Sequence, residues 1–220
     1  MVIKKFSINF ADMLWLYILA SLLGVLLEGL FCLIKRGHWE THVVSLFSPL
    51  CVLYGFGAVL FYIGDIYLGE IKLFYRFVAF AMTGTALELL SGLILERGFR
   101  MFAWNYSKNF ANFRGYICLK MTIVWGLAGV LFGKLISPLN HLFLKLQNDR
   151  WSAITVIVAI VLILDLLFTL IAIFRWSQRH YEIAPPSKIG AFLDKKYSDD
   201  YMQSRFVEWH FLDERDIENE

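Results

Sequence analysis

The stretch Gly24–Gly37 (GVLLEGLFCLIKRG) decides the fold class, because it holds a carboxylate inside an apolar run and ends on Arg-Gly. A second stretch, Gly84–Gly98 (GTALELLSGLILERG), repeats the pattern with one extra residue before Arg-Gly. A carboxylate within hydrocarbon is costly, so it usually faces a partner, a cavity or a site. Glu28 and Glu88 stand at matched positions. They therefore predict a duplicated unit with a paired polar centre.

The composition is that of a membrane protein. Of 220 residues, 58% are hydrophobic and 18% charged, with a mean hydropathy of +0.58. Lipid offers no partners to backbone polar groups, so apolar runs of about 20 residues are expected to cross as helices. The sequence predicts an all-α polytopic transmembrane helix bundle of about five spans: Met13–Ile34, Val43–Gly64, Leu73–Leu95, Tyr116–Pro138 and Ser152–Phe174. Residues 1–174 would form the transmembrane domain and residues 175–220 a cytoplasmic C-terminal tail.

The duplication extends into the second helix of each unit. Tyr54–Leu60 (YGFGAVL) and Trp125–Leu131 (WGLAGVL) share an aromatic-Gly start and a Val-Leu end. Spans one and two would then repeat as spans three and four, in the same direction, as a parallel two-helix repeat. Chance similarity between apolar helices is the alternative.

Basic residues predict the orientation, because cytoplasmic loops carry an excess of Lys and Arg. The richer side carries Lys35, Arg36, Arg97, Arg100, Lys108, Arg114, Arg175 and Arg179, and the other side Lys4, Lys5, Lys72, Lys145 and Arg150. Five crossings would place the N-terminus outside and the C-terminus in the cytoplasm. Pro185 and Pro186 break the last helix. The tail beyond them is expected to be solvated at the membrane interface, with docking to a partner as the alternative.

Four ionisable residues lie well inside the predicted spans: Glu28, Glu88, Lys120 and Asp165. Each isolated charge costs on the order of 3 kcal/mol to insert, so pairing or neutralisation is expected. We predict a site for an ion, a proton or a polar head group, with Lys120 as the counter-charge. The alternative is a structural interhelical network through which no ion or substrate passes. Thr169 lies one turn away from Asp165. A simpler interpretation of Asp165 is therefore that it holds span five against the core.

The loop between spans three and four mixes aromatic, amide and Arg side chains, which suits headgroup depth. Together with Arg36, its candidate residues are Glu96, Arg97, Trp104, Asn105, Tyr106, Asn112 and Arg114. An interfacial anchor is the common outcome for such a loop, and a gate or a headgroup contact is the alternative.

Other chemistry is not indicated. His38 and His42 flank Glu40 and would share a helix face suited to Zn²⁺, but no third ligand is evident in the sequence. There is no phosphate-binding GxxxxGK[ST] loop, no GxSxG and no GxGxxG. We therefore expect no metal and no cofactor. The chain has no ATPase or hydrolase motif, which argues against an enzyme without deciding the question, and a net charge of +2 gives no reason to expect nucleic acid.

Several ordered motifs resemble those of the bacterial ABC-transporter type IV (CmpB-like) membrane proteins. They include Gly24-x₃-Glu28 with Arg36-Gly37, Glu88-x₃-Gly92-x₃-Glu96, Trp104–Ser107 (WNYS) and Trp125-Gly126, within roughly residues 13–138. Asn105 stands where the family pattern has Asp. The resemblance implies a permease-like protein of the bacterial cytoplasmic (inner) membrane, and any ATPase would be a separate polypeptide.

Three hypotheses follow for function. The first is a permease or transport subunit in which Glu28 and Glu88 line a polar site and the loop of residues 96–115 is a cytoplasmic-side gate. A chain of five spans is small for a permease, so a homo-oligomer is expected. The second is a membrane-embedded enzyme acting on lipid or envelope intermediates. The third is a non-catalytic scaffold or sensor whose tail recruits a partner.

Overall fold

The computed structural model describes residues 9–145 and 148–214, apart from the side chain of Lys145. Its helices are α1 (Phe10–Arg36), α2 (Val52–Leu68), α3 (Leu73–Ile94), α4 (Leu119–Phe132), α5 (Ile136–Lys145), α6 (Asp149–His180), α7 (Lys188–Lys196) and α8 (Asp199–Arg205). A π-helical turn, Leu95–Phe99, extends α3, and a 3₁₀ turn, Gly133–Leu135, joins α4 to α5. Two short antiparallel strands, β1 (Met101–Phe102) and β2 (His210–Phe211), pair a loop with the tail, and a 3₁₀ turn, Leu212–Glu214, follows. The predicted all-α membrane helix bundle is confirmed.

Within the described residues, four helical stretches are long and apolar enough to cross a membrane: Phe10–Arg36, Leu73–Phe99, Leu119–Leu144 and Asp149–His180. Local signals set their ends. Asn9 caps α1 by accepting from the Asp12 N–H at 2.8 Å, and Gly37 ends α1 with a φ of +79°. Asn148 caps α6 in the same way.

The second predicted span is shorter than expected. α2 has 17 residues and begins at Val52 rather than at Val43. Pro49 disfavours helical backbone at the residue before it, and the N–H groups of Phe47 and Ser48 bond to Asp165 at 3.3 and 3.0 Å. The segment before α2 is therefore an ordered non-helical loop tied to α6.

Matched positions of the two hairpins, α1–α2 and α3–α4, make matched contacts. A Cβ atom on Gly24 would overlap the Tyr54 ring, and one on Gly84, 60 residues later, would overlap the Trp125 ring. Close approach at small residues is how helices associate in lipid.

The same correspondence continues around these glycines. Gly55 lies against Tyr17, and Gly126 lies against Phe77. Val25 packs near Cys51, and at the corresponding place Thr85 donates to Thr122 at 2.9 Å. The two hairpins therefore share one packing scheme, with an offset of 60 residues in the first helix and 71 in the second.

The ends of the helices lie on two sides of the bundle. The N-terminal ends of α1 and α6 meet where Trp15 Nε1 donates to Thr155 at 2.9 Å. The C-terminal ends of α3 and α6 meet where Ser177 donates to the Phe99 carbonyl. Lys4, Lys5 and the side chain of Lys145, which entered the prediction of orientation, lie outside the described residues.

The tail differs from the solvated segment expected. α6 runs to His180, past the boundary predicted after residue 174, and α7, α8 and β2 then fold back onto the loops. A hydrophobic core joins them, with Trp176, Leu193, Tyr197, Met202, Phe206, Trp209 and Phe211 buried. Arg175 holds α7 through a bidentate bond to Asp194, both arms at 2.8 Å. Most aromatic residues of the tail are thus core residues, whereas Phe192 and Tyr201 are exposed.

Candidate functional site

Glu28 lies on α1, one turn beyond Gly24, with about a third (32%) of its side chain exposed. It accepts hydrogen bonds from the Tyr54 hydroxyl of α2 and from Nδ1 of His42, in the loop after α1. The same nitrogen lies 2.9 Å from the Glu208 carboxylate of the tail. The first carboxylate thus has an ionic partner that is shared with the tail.

Glu88 occupies the matched place on α3 but is only 2% exposed. It accepts from the Tyr106 hydroxyl at 2.9 Å and, at 3.3 Å, from Nε1 of Trp125. Both donors are neutral. Burial, followed by the nearby Glu88 carboxylate, raises the pKa of Tyr106, so this hydroxyl remains a donor.

An aromatic pair joins the two carboxylates. Tyr54 and Trp125 lie side by side, with ring centroids 6.4 Å apart. Each ring donates to the glutamate of its own hairpin. Glu28, Tyr54, Trp125, Glu88 and Tyr106 therefore form one continuous polar–aromatic network, which we call the carboxylate network, between the two halves of the bundle.

The loop between α3 and α4 is built to hold Tyr106. Trp104 Nε1 donates to the Tyr116 carbonyl at 2.8 Å, and the Tyr106 N–H donates to the Gly115 carbonyl at 2.9 Å. Asn105 accepts from the Ser107 N–H at 3.0 Å, which is a local turn contact. Asn112 donates at 2.9 Å to the carbonyls of Ser107 and Asn109. The amide side chains of this loop thus satisfy its irregular backbone.

The charged members of the predicted set are dispersed at the edges. Arg97 and Arg114 are exposed, and Glu96 is partly exposed at the end of α3. Arg36 forms an ion pair with Glu40 in the loop after α1. These residues line the side of the bundle that carries the tail.

Lys120 and Asp165 do not join the carboxylate network. Lys120 is exposed at the start of α4, and across residues 9–145 and 148–214 it has no salt bridge to either glutamate. Asp165 is buried and accepts from Ser45, Ser48 and Thr169, which fits the structural reading. The partners of the two glutamates are aromatic and imidazole groups, so Lys120 does not act as their counter-charge in this geometry.

Three carboxylates, those of Glu28, Glu40 and Glu208, surround His42, whose side chain is only 8% exposed. Burial lowers the pKa of His42, but hydrogen bonds to Glu208 and Glu28 outweigh it and raise that pKa to about 11. A hydrogen bond from Arg36, only partly opposed by burial, lowers the pKa of Glu40 to about 2.

Sequence reasoning missed the roles of four residues around the two glutamates: His42, considered only as a metal ligand, Glu208 and, as donors, the pair Tyr54 and Trp125. The sequence did contain a signal for Tyr54 and Trp125, because each of them begins one of the two matched aromatic-Gly motifs. Glu208 carried none, because 180 residues separate it from Glu28 and only the folding of the tail brings them together.

Comparison with known proteins decides the family. The family model described as Putative ABC-transporter type IV matches residues 15–170. The chain belongs to this family. Membership confirms the resemblance seen in the motifs and extends it through most of α6. No curated protein and no solved structure matches the chain. The family's description points to a membrane protein of transporter type, and both glutamates of the carboxylate network lie inside the matched region.

Proposed function

We propose that this chain is the membrane subunit of a transporter, a permease of the bacterial inner membrane. It would span the bilayer five times, with α2 as a short span and α4–α5 as one bent span, N-terminus outside and C-terminus cytoplasmic. Family membership supports the class. The meeting of the C-terminal ends of α3 and α6 with the folded tail supports the arrangement of the sides.

The two hairpins would be copies of one ancestral unit. The matched Gly-on-aromatic contacts support this, because chance similarity between apolar sequences does not predict matched three-dimensional partners. Such repeats often place the transport site at their interface.

The carboxylate network would be that site, and its chemistry suits a cation, a proton or a polar head group. The single observation that carries the proposal is the Tyr54–Trp125 bridge, which brings the carboxylates of both hairpins into one network. The loop of residues 96–115 would act as the gate, because its Tyr106 closes directly onto Glu88.

Energy would come from a separate ATPase subunit, and the chain would assemble as a homo-oligomer. The test is purification of the full chain from its native membrane in mild detergent, with mass spectrometry of stoichiometric partners. We expect a nucleotide-binding polypeptide. A homo-oligomer with no ATPase would overturn this part of the proposal.

The site itself is tested in that purified complex, reconstituted in lipid nanodiscs. Glu28→Gln with Glu88→Gln should lower ATP hydrolysis at least tenfold, whereas Glu70→Gln, an exposed residue after α2, should not change it. Hydrolysis at the wild-type rate in the double variant, with normal expression, would remove the carboxylates from the mechanism.

A second candidate is a membrane-embedded enzyme acting on lipid or envelope intermediates. The imidazole of His42, held among Glu28, Glu40 and Glu208 at the membrane edge, favours it as a proton donor, because its raised pKa keeps the ring protonated at neutral pH. Turnover of lipid by the purified chain without nucleotide would support this candidate over transport.

A further inference from the structure

The end of α1 and the loop after it bring together three ligand types that transition metals prefer. Cys32 Sγ lies 3.5 Å from His42 Nε2, and Glu40 Oε2 lies 3.5 Å from the same nitrogen. The three ligand atoms all lie within 4.8 Å of one another. Cys32 is only 2% exposed, so its thiol is directed into the protein.

The two 3.5 Å spacings at His42 Nε2 fit the edges of a tetrahedral zinc site. Zinc binds sulfur at about 2.3 Å and nitrogen or oxygen at about 2.0–2.2 Å, so two ligands of one ion stand roughly 3.3–3.6 Å apart. A thiolate, an imidazole nitrogen and a carboxylate oxygen form a mixed ligand set that zinc accepts. Three protein ligands leave a fourth position open.

The other face of His42 has the support that a metal-bound histidine needs. Its Nδ1 bonds to the Glu28 carboxylate and lies 2.9 Å from Glu208. A ligating histidine usually donates its second N–H to a carboxylate, which fixes the ring and increases its basicity. The sequence showed no third ligand beside His38 and His42. The fold supplies it from α1 as Cys32, while His38 bonds to the second oxygen of Glu40 at 2.7 Å.

We propose that Cys32, Glu40 and His42 form a binding site for one Zn²⁺-class ion at the cytoplasmic end of α1, with Glu28 and Glu208 as positioning residues. The site goes beyond the transport function and does not depend on it. Because Glu208 of the tail contacts His42 Nδ1, the tail would help to orient this ligand. The ion takes the place of the proton on Nε2. It shares Glu40 with Arg36, which bonds to the same oxygen and leaves that oxygen a further lone pair.

The first test uses the full wild-type chain, purified in detergent with a tag that contains no histidine and stripped with a chelator. Titration with Zn²⁺ should give one ion per chain. Titration with Co²⁺ should give the visible bands of a tetrahedral ion together with a thiolate-to-cobalt charge-transfer band. Absence of stoichiometric binding, or cobalt bound without the charge-transfer band, would overturn the proposal.

The second test uses variants whose size-exclusion profile matches that of the wild type. Cys32→Ser and His42→Gln should each weaken zinc binding at least 100-fold, whereas Cys118→Ser, a buried cysteine of the second hairpin, should leave it unchanged. Glu208→Gln should weaken binding about tenfold at unchanged stoichiometry. Equal affinity in the Cys32 and Cys118 variants would refute the site. If the Cys32 variant does not fold, the cobalt spectrum of the wild type still decides.

Discussion

The two hairpins differ most at the place where their sequences agree best. Glu28 and Glu88 occupy matched positions and each accepts from the aromatic residue of its partner helix. Glu28, however, is partly exposed and faces an imidazole, whereas Glu88 is 2% exposed and faces neutral donors only. The same helix packing therefore surrounds the first glutamate with an ionic partner and the second glutamate with neutral hydrogen-bond donors.

The loops explain this difference. The loop after α1 supplies His42 and connects through Glu208 to the tail. The longer loop after the π-helical turn folds on itself and supplies Tyr106. His42 and Tyr106 serve the same role without matching in sequence. Helix packing is thus shared between the hairpins, while the chemistry at each carboxylate is set by its loop.

The largest expected effect tests whether the two hairpins share one packing scheme. Gly24→Ala and Gly84→Ala should each destabilise the protein by about 1–3 kcal/mol, because the new methyl group overlaps the Tyr54 or Trp125 ring. Thermal unfolding of the full chain in one detergent measures both.

Gly98→Ala is the matched control, because a Cβ atom there meets no atom within 4 Å. It should leave the unfolding temperature unchanged within error. If only one of the two packed glycines tolerates alanine, the hairpins do not share a packing scheme.

The next effect distinguishes Glu28, which has an ionic partner, from Glu88, which has neutral donors. Glu28→Gln replaces an ionic hydrogen bond to the imidazole by a neutral one and should cost about 2 kcal/mol, because hydrogen bonds to charged groups are worth roughly 1.5–3 kcal/mol. Glu88→Gln keeps an acceptor for Tyr106 and should cost about 1 kcal/mol or less. Denaturant unfolding of both variants makes the comparison. Equal losses would contradict the ionic–neutral distinction.

The smallest effect concerns the tail, which contacts the loop of the first hairpin through Glu208. Hydrogen bonds from Arg175, partly opposed by burial and then assisted by Arg179, lower the pKa of Asp194. A lowered pKa in the folded state means that this carboxyl stabilises the tail above its ordinary pKa of about 3.9 and loses the effect as pH falls through the folded value. Limited proteolysis between α6 and α7 should therefore increase at acid pH.

Asp194→Asn is the control for that titration. Its cleavage should already be faster at neutral pH, and it should lack the part of the pH response that Asp194 provides. An identical pH response in the variant and the wild type would assign the acid effect to other carboxyl groups.

Much of the fold was predictable from the sequence, because the length of apolar runs and the repeated motifs are local signals. Membrane helices, the glutamate pair and the aromatic-Gly motifs were all found in this way. The start of α2 was predicted nine residues too early, because hydropathy continues through Val43–Cys51. The bonds from Phe47 and Ser48 to Asp165 depend on a residue 118 and 117 positions away.

The candidate site was predicted only in part. Glu28, Glu88 and Tyr106 were identified, but their partners were not, because bundle geometry decides which side chains meet. Lys120 was chosen by depth along the chain, and helix rotation turns it outward. His42 and Glu208 meet only because the aromatic tail folds back onto the loops, a contact that no local periodicity encodes.

The central claim is that both carboxylates belong to one network across the Tyr54–Trp125 bridge. A double-mutant cycle of Glu28→Gln and Glu88→Gln, measured as free energies of unfolding in a single detergent, tests it most directly. The structure predicts a coupling energy above about 0.5 kcal/mol, because groups in one network are not additive. Single-variant losses that add to within about 0.5 kcal/mol would show two independent sites and contradict the account.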